Sequence, residues 1–149
     1  MFGKKNKNTP PKQPEVILHP EMGELIFHSF WHGKTESSIF GNVLPMDLCV
    51  YVDEDKDNLS VQEQSFRFYI SNVESINMEI TRELYKAYDL DDSFDLGSRF
   101  TPEALIILWD GNCGMSFRDK AEPEGISSEL NVVTILPKVE FWGSEDDYC

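Results

Sequence analysis

The sequence predicts an α+β domain: an antiparallel β-sheet with two central helices (about 60–71 and 73–88) packed on it. Three observations carry this. Met46, Leu48, Val50 and Val52 alternate with Asp47, Cys49 and Tyr51, the period of a half-buried strand. Val73, Ile76, Ile80, Leu84 and Tyr88 recur at steps of 3, 4, 4 and 4, a helical stripe and the strongest periodicity in the chain. Short aromatic and β-branched runs flank that helical region on both sides.

Taken in order, Val16-Ile17-Leu18 is a short strand stopped by His19-Pro20, and Leu25-Ile26-Phe27 leads into Phe30 and Trp31. Gly33 marks a turn. Ile39-Phe40 with Gly41-Asn42 reads as a further strand and turn. Asp53 to Asn58 is a charged loop. Ser60 and Glu63 have capping-box spacing, and Val61, Ser65, Phe68 and Tyr69 share one helical face. Two helices meeting at Asn72 are favoured over one kinked helix. Residues 89–99 are an acidic connection. Thr101-Pro102 would open a helix, but Ala104 to Trp109 is short, branched and ends in Asp110-Gly111, which favours a hairpin strand paired with Met115 to Phe117. A loop through Pro123 and Gly125 follows, then strands over Leu130–Leu136 and Val139–Trp142, split by Pro137.

At 149 residues the chain fits one domain, residues 15–149, with enough length to bury a core without disulfides. The formal net charge is −14. Residues 1–14 hold Lys4, Lys5, Lys7 and Lys12 and no acid, which leaves 9 basic residues against 27 acidic ones in the body. Such a body argues against nucleic acid and anionic membrane as partners, because both call for clustered Lys and Arg. The Pro-, Lys- and Asn-rich start lacks the apolar core of a signal peptide and reads as a flexible basic tail; a basic arm for RNA or an acidic partner is the lesser alternative. No apolar run approaches the length of a membrane helix. Cys49, Cys113 and Cys149 are odd in number and form no CxxC, so free thiols in a reducing cytoplasm are expected. Cys49 reads as a packing residue and Cys149 as a mobile terminus.

The residues speak against several chemistries. Asp53, Asp55 and Asp57 match the first positions of a calcium loop, but Asn58 stands where Gly is needed and Gln64 where the bidentate Glu belongs. A solvated acidic loop is favoured. His28, His32 and Glu24 would share a strand face and with His19 could ligate zinc, yet no HExxH or Cys/His finger spacing exists, so half-buried histidines are favoured. Neither GxSxG nor a phosphate-binding glycine loop occurs. No cofactor and no catalytic residue is expected.

Surface charge remains. Acids cluster at Asp53, Glu54, Asp55 and Asp57, at Asp89, Asp91, Asp92 and Asp95, and at Glu145-Asp146-Asp147. The first two clusters are the candidate partner-binding residues, because loops leave side chains available. Trp31, Trp109 and Trp142 could anchor such an interface, though core packing is the better expectation for each.

The segment order His19-Pro20-Glu21-Met22-Gly23-Glu24-Leu25, Trp31-His32-Gly33-Lys34, Ile39-Phe40-Gly41, Met46 to Asp53, the Ser60-to-Tyr88 helices, Gly114-Met115-Ser116-Phe117 and Glu122-Pro123-Glu124-Gly125-Ile126 resembles a group of small acidic bacterial proteins. Some of these accompany contact-dependent growth-inhibition or polymorphic toxins as immunity proteins. Ala121 to Gly125 lacks the Trp, first Asp and His that the group carries there. The resemblance implies a cytoplasmic immunity protein, not an enzyme, that binds and neutralises a cognate, basic nuclease toxin domain by stoichiometric occlusion. The alternatives are a metal-dependent enzyme using His and acid residues, or a housekeeping protein-interaction domain.

Overall fold

Among the described residues eight strands form one sheet whose order in space repeats their order in the chain. They are Val16–His19 (β1), Gly23–His28 (β2), Phe30–Ser37 (β3), Leu44–Val50 (β4), Phe100–Ile107 (β5), Cys113–Asp119 (β6), Asn131–Leu136 (β7) and Glu140–Ser144 (β8). Helices α1 (Ser60–Ser71) and α2 (Val73–Ala87) lie between β4 and β5, and a one-turn helix α3 (Glu145–Tyr148) ends the chain. This computed structural model describes residues 13–121 and 130–149. The loop expected through Pro123 and Gly125, nearly all of the basic tail expected over 1–14, and the Glu122–Ile126 part of the resemblance fall outside the described residues.

The α+β class and both central helices stand, but the sheet is mixed rather than antiparallel. β4 and β5 run parallel, with Asp47 opposite Ala104 and Val50 opposite Ile107. The helices between them carry the chain back to the starting end of the sheet, so β5 sets out in the direction of β4. Every other neighbouring pair is antiparallel. Pro102 is accommodated in β5 at a bulge, where no ladder N–H is needed.

Four local expectations are corrected. Gly33 is not a turn but lies inside β3: a Cβ there would sit 2.7 Å from Leu25 Cδ2, so the glycine makes room for a core leucine. Ile39–Gly41 is a 3-10 turn rather than a strand, with Phe40 at φ +61°. The capping box does not form. Leu59 stands at the N-cap without a side-chain bond, while Glu63 turns away to His19 and Arg67. The buried stripe of α1 is Gln62, Ser65, Phe66 and Tyr69, which leaves Val61 and Phe68 exposed.

The break at Asn72 is as expected. Its φ of −125° leaves the helical region, its Nδ2 donates to Phe68 O at 2.9 Å, and its carbonyl accepts from Ile76 N to start α2. Ile76, Ile80 and Leu84 of α2 join Trp31, Leu48, Leu105, Met115 and Val133 of the sheet in one buried apolar core. The opposite face carries a smaller cluster of Ala104, Ile106 and Val132, onto which α3 lays Tyr148. Cys49 joins that cluster half-buried, Cys113 is buried, and all three cysteines are free thiols.

Candidate functional site

The parallel pair β4/β5 decides where the acidic loops lie. Residues 51–59 leave the C-terminal end of β4, and residues 88–99 enter the N-terminal end of β5. Val50 is in register with Ile107, and Phe100 stands seven residues before it. At about 3.3 Å per residue the two loops are roughly 20 Å apart, beyond the screening length of about 8 Å at physiological salt. Asp53, Glu54, Asp55 and Asp57 therefore do not share a surface with Asp89, Asp91, Asp92 and Asp95.

The far cluster is partly consumed in holding its own loop. Asp91 Oδ1 accepts from Ser93 N at 2.9 Å and from Ser93 Oγ at 2.7 Å, and these bonds hold its carboxyl below the usual carboxylate range. Asp95 Oδ1 accepts from Gly97 N. Asp89 sits at φ +51°, in the left-handed region that Asp tolerates better than most side chains.

The near cluster stands on a pinned loop. Trp31 Nε1 donates to Lys56 O at 2.8 Å, and Lys56 Nζ reaches Glu15 at 2.7 Å and Asp57 at 3.2 Å. Its ammonium also lies 5.5 Å from the Phe27 ring centroid and 5.7 Å from that of Trp31. Asp55 Oδ1 accepts from Asp57 N. Among the described residues no hydrogen bond or ion pair engages the carboxylates of Asp53 or Glu54, so both are available to a partner.

Residues outside the expected set complete this end. The β5–β6 turn presents Trp109, 58 % exposed, which lines one hollow with Val61 of α1; Val61 and Phe68 are exposed as well. Core packing was the expectation for all three tryptophans, and only Trp31 meets it: it is fully buried, whereas Trp142 is 51 % exposed. The turn is clamped to the helix. Ser65 Oγ donates to Gly111 O at 2.5 Å, and a Cβ on Gly111 would meet Val61 Cγ1 at 2.8 Å. Two hollows meet at Val61. One, of about 230 Å³, is lined by Asp53, Glu54, Asp55 and Trp109. The other, of about 380 Å³, is lined by Phe68, Asp110, Leu136 and Pro137. In the sequence Val61 and Phe68 fit the helical face that Ser65 and Tyr69 share, so the one signal for this end is Trp109, which precedes a hairpin Asp-Gly.

The histidines do not converge. His19 Nε2 lies 3.1 Å from Glu63 on the helix side, and its Nδ1 accepts from the Glu21 and Met22 amides. His28 and His32 share the opposite face as expected, their rings 6.0 Å apart. Among the described residues no group of three or more His, Cys, Asp or Glu is placed to hold a metal ion. A hollow of about 430 Å³ on that face is lined by Glu24, His32, Lys34, Asp47 and Cys49. Burial, with Asp47 nearby, pushes the Cys49 thiol up to about 12, and burial does the same to Cys113, so neither supplies a thiolate at neutral pH. No helix among the described residues is long and apolar enough to cross a membrane. Comparison with protein families, with curated proteins and with solved structures finds no match to the chain.

Proposed function

We propose that the protein works by binding a basic protein partner, and that this partner is a toxin domain which it neutralises in the cytoplasm by stoichiometric occlusion. The observation that carries the reading is the exposed Trp109 set among Asp53, Glu54, Asp55 and Asp110. Solubility accounts for scattered acids; it does not account for an indole held out in water by a clamped turn. An apolar centre with a charged rim is the anatomy of a protein interface, and complementary charge speeds the encounter and selects the partner.

The resemblance to small acidic immunity proteins supplies the kind of partner. A nuclease toxin must present Lys and Arg to hold phosphates, and an acidic protein seated on that surface takes the place of the substrate. No residue of this chain needs to perform chemistry in such a mechanism. Co-expression with the toxin domain encoded immediately upstream tests it. Restored growth and co-purification at fixed stoichiometry are expected. A toxin that kills regardless, or that fails to co-purify, overturns the proposal.

A further inference from the structure

We infer that Trp109 is a stacking platform for an arginine of the partner, and that an apolar residue flanks that arginine in the partner's sequence. This rests on the partner-binding reading above and narrows it to one end of the molecule. Trp109 and Trp142 are comparably exposed, at 58 % and 51 %. The Trp142 ring, however, lies edge-on to Tyr148 at 5.7 Å, whereas no ring or cation contact engages Trp109 among the described residues. The clamp from Ser65 to Gly111 fixes the turn, so little freedom is lost when something stacks on the indole.

The surroundings choose the occupant. On one side of Val61 the smaller hollow places Asp53, Glu54 and Asp55 beside the indole. A guanidinium lying flat on the ring can turn its edge N–H groups toward those carboxylates, which a lysine ammonium cannot do while stacked. This chain already uses that arrangement internally. Arg99 lies 4.8 Å from the Tyr88 ring centroid and 5.1 Å from that of Phe100 while it grips Asp119 through two bonds of 2.9 Å. On the other side of Val61, Phe68, Leu136 and Pro137 form the apolar part of a hollow that Gln64, Asp110 and Asn112 also line, and that apolar part suits an aliphatic side chain. Since the hollows share Val61, neighbouring residues of one segment reach both.

The test titrates the isotope-labelled full chain with two peptides, one alternating Arg with Leu and one alternating Lys with Leu. The indole N–H signal of Trp109 is expected to shift while those of Trp142 and Trp31 stay. The Arg peptide is expected to bind about tenfold more tightly than the Lys peptide, and Trp109→Ala to erase that preference. Unchanged Trp31 and Trp142 signals in the variant report an intact fold. Equal affinity for the two peptides, a preference that survives Trp109→Ala, or a shift at Trp142 instead overturns the inference. Growth rescue separates the two claims. A toxin neutralised equally well by wild type and Trp109→Ala overturns the platform and leaves immunity standing. A toxin unbound by wild type, with the peptide preference intact, overturns immunity and leaves the platform.

Discussion

Asp119 and Arg99 show how one residue pair ties the sheet to the acidic connection. Burial raises the Asp119 carboxyl, but the Arg99 hydrogen bonds, the Ala121 amide and the attraction of the guanidinium outweigh it and hold the group below its ordinary value. A carboxyl depressed in the folded state contributes its stability above the unfolded value of about 3.9 and loses it as pH falls through the folded one. Asp119→Asn is therefore expected to cost about 3 kcal/mol near neutral pH. Urea midpoints at about pH 7 and about pH 3 check this, and the gap between wild type and variant should narrow in acid. Gly33→Ala tests the close approach to Leu25: a Cβ 2.7 Å from Cδ2 and 3.2 Å from Glu24 O forces the hairpin apart, at about 1–2 kcal/mol in the same assay. In the sequence a glycine that makes room for a neighbour is indistinguishable from one that turns the chain. The sequence alone favours a turn at Gly33, and the structure makes it the glycine that gives Leu25 room.

At the scale of elements, periodicity made some of the fold legible and left pairing obscure. The 3.6-residue stripe of α2 and the alternation of β4 each report a burial pattern within one segment, and both hold. Ile80, fully buried, is the centre of that stripe, and Ile80→Ala is expected to cost about 3 kcal/mol by thermal or urea unfolding. Parallel pairing of β4 with β5 is a relation between distant segments, so no local period encodes it. The hint was the unbroken apolar run Ala104–Ile107, buried on both faces as parallel strands are. The stripe of α1 is only half legible: Ser65 and Tyr69 are buried as expected, but Val61 and Phe68 fit helical spacing as well as Gln62 and Phe66 do. Docking of α3 gives a further expectation. Burial, together with Asp146 and Glu103, outweighs the Ser116 hydroxyl and pushes the Glu145 carboxyl up. A carboxyl raised in the folded state favours docking when protonated, so docking strengthens as pH falls from neutrality toward the unfolded value of about 4.3. Hydrogen exchange at the Glu145 amide, which donates to Leu130 O, should become more protected over that range, and Glu145→Gln should remove the dependence.

Across the whole molecule, the charge of −14 was plain from composition, but its division between two ends of the sheet was not. In the sequence both acidic loops look equivalent. The crossover sets them at opposite ends, gives Asp91 and Asp95 turns to hold, and places Trp109 next to Asp53, Glu54 and Asp55 alone. Binding to a basic partner should accordingly weaken with added salt, as exposed charge pairs do. Its dependence should reside at one end. Growth rescue from the toxin domain proposed as the partner, compared between Asp53→Lys/Glu54→Lys/Asp55→Lys and Asp89→Lys/Asp92→Lys, reads this most directly. The first variant is expected to lose rescue and co-purification while remaining folded, and the second to behave as wild type. Rescue undiminished by reversal of residues 53–55 would contradict the account.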